Sequence, residues 1–296
     1  MPEPPNGSIA DLSVVIPTLG RQTLDVVLAS IGAGSAWPTR VVVVDQSDGG
    51  NVSRSVRSLE RRGIPVDVVR AAARGVAAAR NRGIERVITR WFAINDDDQR
   101  VAVDWLDRMH RRLAVHPGAV ITGMVAPGGP SVPSSTTDTI PRIHTRPLLR
   151  RDPLFAGNMA TSLDVLERIG PFDERPPLNG AEDNDWGYRA LRHGIPIIYA
   201  PEVIVTHLDW RDEAGIAETY RRYARAQGAF YGKHLRHGDP FIALRAARDL
   251  ARGPWLVLRS VATGNGPLAV LGRAEVAGIL PGIVAGVRMS RVTGQP

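Results

Sequence analysis

Four short apolar runs set the rhythm of the first third of the chain. They are "LSVVIP" (12–17), "RVVVVD" (40–45), "VDVVR" (66–70) and "RWFAIN" (90–95), each closed by proline or a polar residue. Valine, isoleucine and aromatic side chains suit the pleated, packed surface of a strand. Between these runs, 23–31, 52–62 and 75–86 carry helical periodicity or good helix formers. Continuous apolar strands alternating with helices predict an α/β chain: a Rossmann-like, mostly parallel sheet with helices on both faces. Ligands in such sheets bind beyond the carboxyl ends of the strands. Thr18, Arg21, Asp45, Arg70 and the run Asp96, Asp97, Asp98 are therefore expected along one edge.

The pattern then changes. A helix is predicted over 101–116 and a strand over 119–125, followed by a Pro-, Ser-, Thr- and Gly-rich stretch at 127–153. A loop of that length inside a domain is functional or disordered. Beyond it come "LFAGNMATS" (154–162), a helix near 163–169 and "GPFDE" (170–174). "GAEDNDWGYRALRHG" (180–194) reads as a helix with an acidic start and basic end, matching the helix dipole. Two short strands, "IPIIYA" and "VIVTH", lead to a helical tail from residue 213, with breaks near 238–240, 253–254 and 265–267. The division expected is a disordered lead (1–10), a catalytic domain (11–210) and a helical C-terminal extension (211–296).

Composition narrows the partners. Cysteine is absent from the 296 residues, which excludes disulfides and thiolate metal sites and fits a reducing cytoplasm. The net charge is +7, carried almost wholly by arginine, with Lys233 the single lysine. That balance points to an anionic partner such as phosphate or acidic lipid. A genome rich in G and C produces the same arginine bias, so charge alone names no partner. No nucleic-acid-binding motif is present, and nucleic acid is not expected. The most apolar late run, "VAGILPGIVAGV" (276–287), is shorter than the roughly 20 residues that span a bilayer and contains Pro281. A soluble cytoplasmic chain follows, with peripheral contact to an anionic inner membrane face as the further expectation from the basic tail.

The aspartates at the end of the fourth run offer the sharpest chemistry. Residues two apart in an extended segment point the same way, so Asp96 and Asp98 can converge on a hard divalent cation. The alternative is a solvated acidic turn capping the next helix. Asp45 can accept hydrogen bonds from a nucleobase or ribose, or serve only as a turn residue. Arg80 and Asn81, in "GVAAARNRG", can reach a diphosphate or nucleoside, or lie on a solvated helix face. Glu182 and Asp183 can supply a general base, or compensate the dipole of their own helix. His207 can ligate a metal through neutral imidazole, or be a structural strand-end residue.

In order along the chain, "VVIPTLGR", "VVVVDQSDGG", "ARGVAAARNRG", "FAINDDD", "FAGNMATSLDVLERIGPFDE", "GAEDNDWGYRALRHG" and "APEVIVTH" resemble the blocks of family 2 glycosyltransferases of the GT-A fold. The resemblance covers 12–207, about two thirds of the chain. It implies inverting transfer of a hexosyl or deoxyhexosyl group from a nucleotide-diphosphate donor, UDP or dTDP favoured, to an unknown acceptor hydroxyl, with Mn2+ or Mg2+. It makes Asp98 the direct metal ligand and His207 the residue that completes the site. Asp96 and Asp97 stand with it in the DxD motif, Asp183 is the catalytic base and Glu182 its neighbour. Asp45 recognises the base, Pro17, Thr18 and Arg21 line the nucleotide pocket, and Gly157 and Asn158 lie beneath sugar and acceptor. Gln46 and Asn95 depart from the pattern at positions where further aspartates are frequent. Two rival readings remain: a non-catalytic GT-A-like module that binds nucleotide sugar, and a nucleotidyltransferase. The latter wants a Gly-rich, lysine-bearing loop after the first strand, which "PTLGRQTL" matches poorly.

Overall fold

The computed structural model describes residues 7–49, 52–72, 75–129, 136–150, 152–208 and 213–289. Most of the expected N-terminal lead and the middle of the 127–153 stretch lie outside them. The chain divides into two compact units, one comprising Met1–Pro147, Asp152–Phe172 and Trp186–Trp210, the other Leu148–Arg151, Asp173–Asp185 and Arg211–Pro296.

The first unit is built on a mixed sheet. Its elements, in order, are β1 (Ser8–Thr18), α1 (Thr23–Gly32), β2 (Trp37–Asp45), α2 (Val52–Ser55), α3 (Arg57–Glu60), β3 (Val66–Arg70), α4 (Val76–Ile84) and β4 (Trp91–Asn95). There follow β5 (Gln99–Val101), α5 (Trp105–Val115), β6 (Val120–Pro127), β7 (Arg142–His144), β8 (Asn158–Ser162) and α6 (Leu163–Ile169). α7 (Glu182–Arg192), which begins in the second unit, and β9 (Ile197–His207) complete it.

The sheet order is β3-β2-β1-β4-β8-β6-β9-β5, with β7 on β9. β1 to β4 pair in parallel, as the apolar rhythm predicts. Beyond β4 the sheet departs from that prediction, because β8 runs antiparallel to both β4 and β6. Among the described residues no helical crossover precedes β8, and two of its polar side chains are buried with partners: Thr161 donates to the Ala119 carbonyl (3.0 Å) and Ser162 caps α6. β9 is one continuous strand where two were expected, passing Pro201 opposite a register shift at Gly123/Met124.

Strand alternation divides the core. Leu12, Val14, Ile16, Val41 and Val43 face α1 and α5, while Val15, Val42 and Val44 pack with apolar residues of α4, α6 and α7. A one-residue slip would turn every one of these side chains to the wrong layer, so register is strongly fixed. With both faces covered by apolar layers, polar side chains such as Thr18, Asp45, Asp97 and Asp98 gather at the strand ends.

The second unit is helical, with α8 (Glu213–Leu235), α9 (Pro240–Thr263) and α10 (Gly266–Arg288). Asp239 caps α9 through the Phe241 and Ile242 amides, and Asn265 caps α10 through the Leu268 amide. These are the expected breaks at 238–240 and 265–267. The break expected at 253–254 does not occur: α9 runs through Pro254, whose ring faces outward, while Gly253 packs against α10. α8 and α10 meet backbone to backbone. A Cβ on Gly282 would lie 2.1 Å from the Arg225 carbonyl oxygen, and one on Gly228 the same distance from that of Ile279. The apolar run 276–287 is thus the end of a 23-residue helix, which by length and composition is long and apolar enough to cross a membrane.

Candidate functional site

Parallel register brings the strand ends level. Thr18 pairs with Asp45 and Asp45 with Arg70, while Val15 pairs with Ile94. Counting on from Ile94, Asp97 falls beside Thr18. Thr18 Oγ1 donates to Asp97 Oδ2 (2.7 Å), the Leu19 amide donates to the same oxygen (3.2 Å), and Arg21 donates to Asp97 Oδ1 (2.7 Å). Both carboxylate oxygens of Asp97 are therefore engaged from the end of β1, and the residue binds two strand ends together. Burial pushes the Asp97 carboxyl up, with the Arg21 charge and the Thr18 hydrogen bond opposing it. Pro17, just before, is buried in the β1–β2 ladder.

The flanking aspartates turn elsewhere. Asp96 Oδ1 accepts from Arg80 (3.0 Å), a buried arginine on α4 whose guanidinium also lies over the Phe172 ring. Gly157 makes room for Asp96, since a Cβ there would sit 2.2 Å from Asp96 Oδ2. Asp98 faces His207: its Oδ1 lies 3.4 Å from Nε2, and both side chains are almost fully buried. That spacing is longer than a good N–H···O bond. β5 and β9 hold the pair, because Gln99 is in register with His207 and the Leu208 amide donates to the Asp98 carbonyl (2.8 Å). His207 Nδ1 is buried with no hydrogen-bond partner.

A carboxylate oxygen and an imidazole nitrogen at that spacing fit a hard divalent cation that takes its other ligands from water and phosphate. Among the described residues no group of three or more His, Cys, Asp or Glu gathers to hold a metal, so the protein would supply this pair.

Two residues grouped with the donor site have structural commitments. Asn81 uses both ends of its amide on the Phe172 backbone (2.8 and 2.9 Å), docking the segment that follows α6. Asn158 is fully buried. It donates to the Met124 and Val203 carbonyls (3.0 Å each) and accepts from Trp105 Nε1 (2.8 Å), tying β6, β9 and α5 together. Asp45 accepts from the Ser47 amide (2.9 Å) and pairs with Arg70 (2.9 Å) at the outer end of the same edge.

Glu182 and Asp183 belong to the second unit, at the start of α7. Glu182 is buried and accepts from the Gly180 amide (2.7 Å), whereas Asp183 is half-buried and accepts from the Asn184 amide (2.8 Å). Sequence reasoning missed what fixes this turn. Lys233 Nζ lies 2.8 Å from Asp185 and 2.9 Å from Asp173, and His234 Nε2 lies 2.9 Å from Asp185. Burial works to raise the Asp173 carboxyl, but the Arg175 hydrogen bond and the Lys233 charge outweigh it and hold the group below its usual range. A single lysine in an arginine-rich chain was the one signal that could have drawn attention to this cluster.

A carboxylate-edged α/β sheet of this topology defines the GT-A glycosyltransferase fold, and solved structures agree. A mannosyltransferase, PcManGT from Pyrobaculum calidifontis, in complex with GDP-Man and Mn2+, aligns with TM-score 0.64 at 18% identity over 94% of this chain and 87% of its own. S. aureus TarS 1-349 in complex with UDP-GlcNAc aligns with TM-score 0.57 at 15% identity over 90% of each chain. Against longer TarS the match spans 55% of that protein's length. GalNAc-T7 with UDP, GalNAc and Mn2+ aligns with TM-score 0.54 at 19% identity over 78% of this chain and 52% of its own. The model of glycosyl transferase family 2 matches residues 13–168, more than half of the sequence, and the chain belongs to that family. No curated protein sequence matches it significantly.

Proposed function

We propose that the protein is an inverting, metal-assisted glycosyltransferase that moves a hexosyl or deoxyhexosyl group from a nucleoside-diphosphate donor to an acceptor hydroxyl. The observation that carries this reading is the Asp98–His207 pair beside Asp96 on the strand-end edge of a family 2 chain. Sugar donors and Mn2+ named for structures of the same fold support it.

Asp98 and His207 would hold Mn2+ or Mg2+, which when bound neutralises charge on the diphosphate leaving group and removes the need for a protonating acid. Asp96, positioned by Arg80 and the space above Gly157, accepts hydrogen bonds from the donor. Asp97 keeps Thr18 and Arg21 in place at the nucleotide end of the edge. Asp45 receives the base, with UDP or dTDP the favoured nucleotides. Asp183 acts as general base, taking the acceptor proton as its oxygen attacks the anomeric carbon from the face opposite the leaving group. One displacement inverts the configuration.

Product analysis tests the reaction class, since free nucleoside diphosphate means glycosyl transfer and pyrophosphate would mean nucleotidyl transfer. Thermal shift with UDP-, dTDP- and GDP-sugars, with and without Mn2+ or Mg2+, tests donor and metal. Asp183→Asn should keep donor binding and lose transfer by about 10²–10⁴-fold. Full transfer by that variant removes Asp183 from the role.

A further inference from the structure

The second unit carries apolar surface that its own packing does not use. Leu244, Trp255, Leu258 and Val261 on α9 and Val276 and Leu280 on α10 are each more than half exposed. On α9 Trp255, Leu258 and Val261 recur at helical spacing, and exposed Ala247, Ala251 and Pro254 join them to Leu244. Contiguous exposed apolar surface marks an interaction site.

The charges on the same helices show what would cover it. The only acids between 240 and 288 are Asp249 and Glu275, and both are buried, paired with Arg248 and Arg252 respectively. The exposed charges are Arg259, Arg273 and Arg288, all cationic. Arg259 lies over the exposed Trp255 ring (5.1 Å), an arrangement with an apolar body and a charged tip. A second copy docked face to face would bring only exposed cations to the contact, with no exposed acid on these helices to pair them. An anionic phospholipid surface satisfies both features, apolar side chains entering the acyl boundary and arginines meeting phosphate.

We infer that the α9–α10 face docks the protein on anionic bilayers, lying in the interface plane. Crossing the bilayer on α10 is disfavoured by two contacts. The helix is locked backbone to backbone onto α8, whose outer surface carries Arg221, Arg222 and Arg225, and it bears the buried Glu275, paired with Arg252 of α9. This inference is independent of the glycosyl-transfer reading.

The test is co-sedimentation of the full chain with phosphatidylglycerol-rich vesicles and with pure phosphatidylcholine vesicles at low salt. Binding to the first and not the second is expected, with a blue shift of tryptophan emission that Trp255→Phe abolishes. Leu258→Glu together with Val261→Glu should weaken binding at least tenfold. Arg259→Gln, Arg273→Gln and Arg288→Gln should each weaken it about fivefold and lessen its salt dependence. All five positions are exposed, and unchanged circular dichroism and thermal unfolding would show that the variants fold. No binding to either vesicle, equal binding to both, or wild-type binding by the double glutamate variant overturns the proposal. So does retention on the membrane through high salt and alkaline extraction, which would mean that α10 spans. A dimer that dissociates on Leu258→Glu and ignores vesicles would assign the face to a second copy instead.

Discussion

Each unit of the molecule contains a buried aspartate–histidine pair, and the two pairs are built for opposite ends. In the helical unit, His234 lies 2.9 Å from Asp185, whose carboxylate also receives Lys233. In the sheet unit, Asp98 and His207 stand 3.4 Å apart and the outer ring nitrogen has no hydrogen-bond partner. Desolvating a charge is costly unless geometry and hydrogen bonds return the loss. The Asp185 cluster meets that condition with protein groups alone and so fixes the first turn of α7. In the Asp98 pair the 3.4 Å spacing leaves room for a cation between carboxylate and imidazole, the role proposed for it. The same two residue types thus stand at hydrogen-bond distance in the structural clamp and farther apart in the proposed ligand site.

The largest effect should come from removing the clamp's cation. Lys233→Met leaves Asp173 and Asp185 buried without their shared ammonium and should cost about 3–5 kcal/mol in chemical denaturation. A loss under about 1 kcal/mol would show that Arg175 and His234 suffice and would erase the contrast. Asp98→Ala should do the reverse, lowering metal-dependent donor turnover by more than about 100-fold while the apo protein unfolds near the wild-type temperature. Strong destabilisation of that variant would mean that the Asp98 pair is also a clamp.

Gly157→Ala sharpens the comparison at the sheet edge. Its Cβ would fall 2.2 Å from Asp96 Oδ2, and overpacking of this kind costs roughly 1–3 kcal/mol. Weaker donor-induced thermal shift should accompany it, with little change in the helical unit. The smallest effect is a pH dependence. Burial pushes the Glu275 carboxyl up to about 7, with the Arg252 charge opposing. A carboxyl raised on folding stabilises most below its unfolded value near 4.5 and loses that contribution as pH rises through about 7. Glu275→Gln should therefore gain melting temperature relative to wild type at pH 8 and show little gain at pH 5. A gain of equal size at both pH values would remove ionisation as the cause.

Much of this was written along the chain. The apolar runs closed by Asp45 and Asn95 specified strands because short β-branched or aromatic runs agree with a sheet buried on both faces. Their polar endings pointed to the candidate site, since polar side chains gather where the strands end and not in the two apolar layers. The breaks near 238–240 and 265–267 were legible because Gly and Pro punctuate a helix locally, and the structure caps the helices that follow with Asp239 and Asn265. The antiparallel turn of the sheet at β8 was not legible, because "NMATS" reads as neither strongly apolar nor turn-like. Its burial depends on carbonyl partners elsewhere in the fold. Pro254 looked like a break for the same reason, as Gly253's packing on α10 is invisible from sequence.

The unequal roles of the three adjacent aspartates mark the boundary most clearly. Sequence determined that three carboxylates would stand at the end of β4, because local preference and periodicity operate over a few residues. Tertiary structure alone decided that Asp97 would be taken by Thr18, Leu19 and Arg21, Asp96 by Arg80 and Asp98 by His207. Those partners lie 16 to 109 positions away in the chain, and strand register, which sequence spacing does not encode, brings them within a few ångströms.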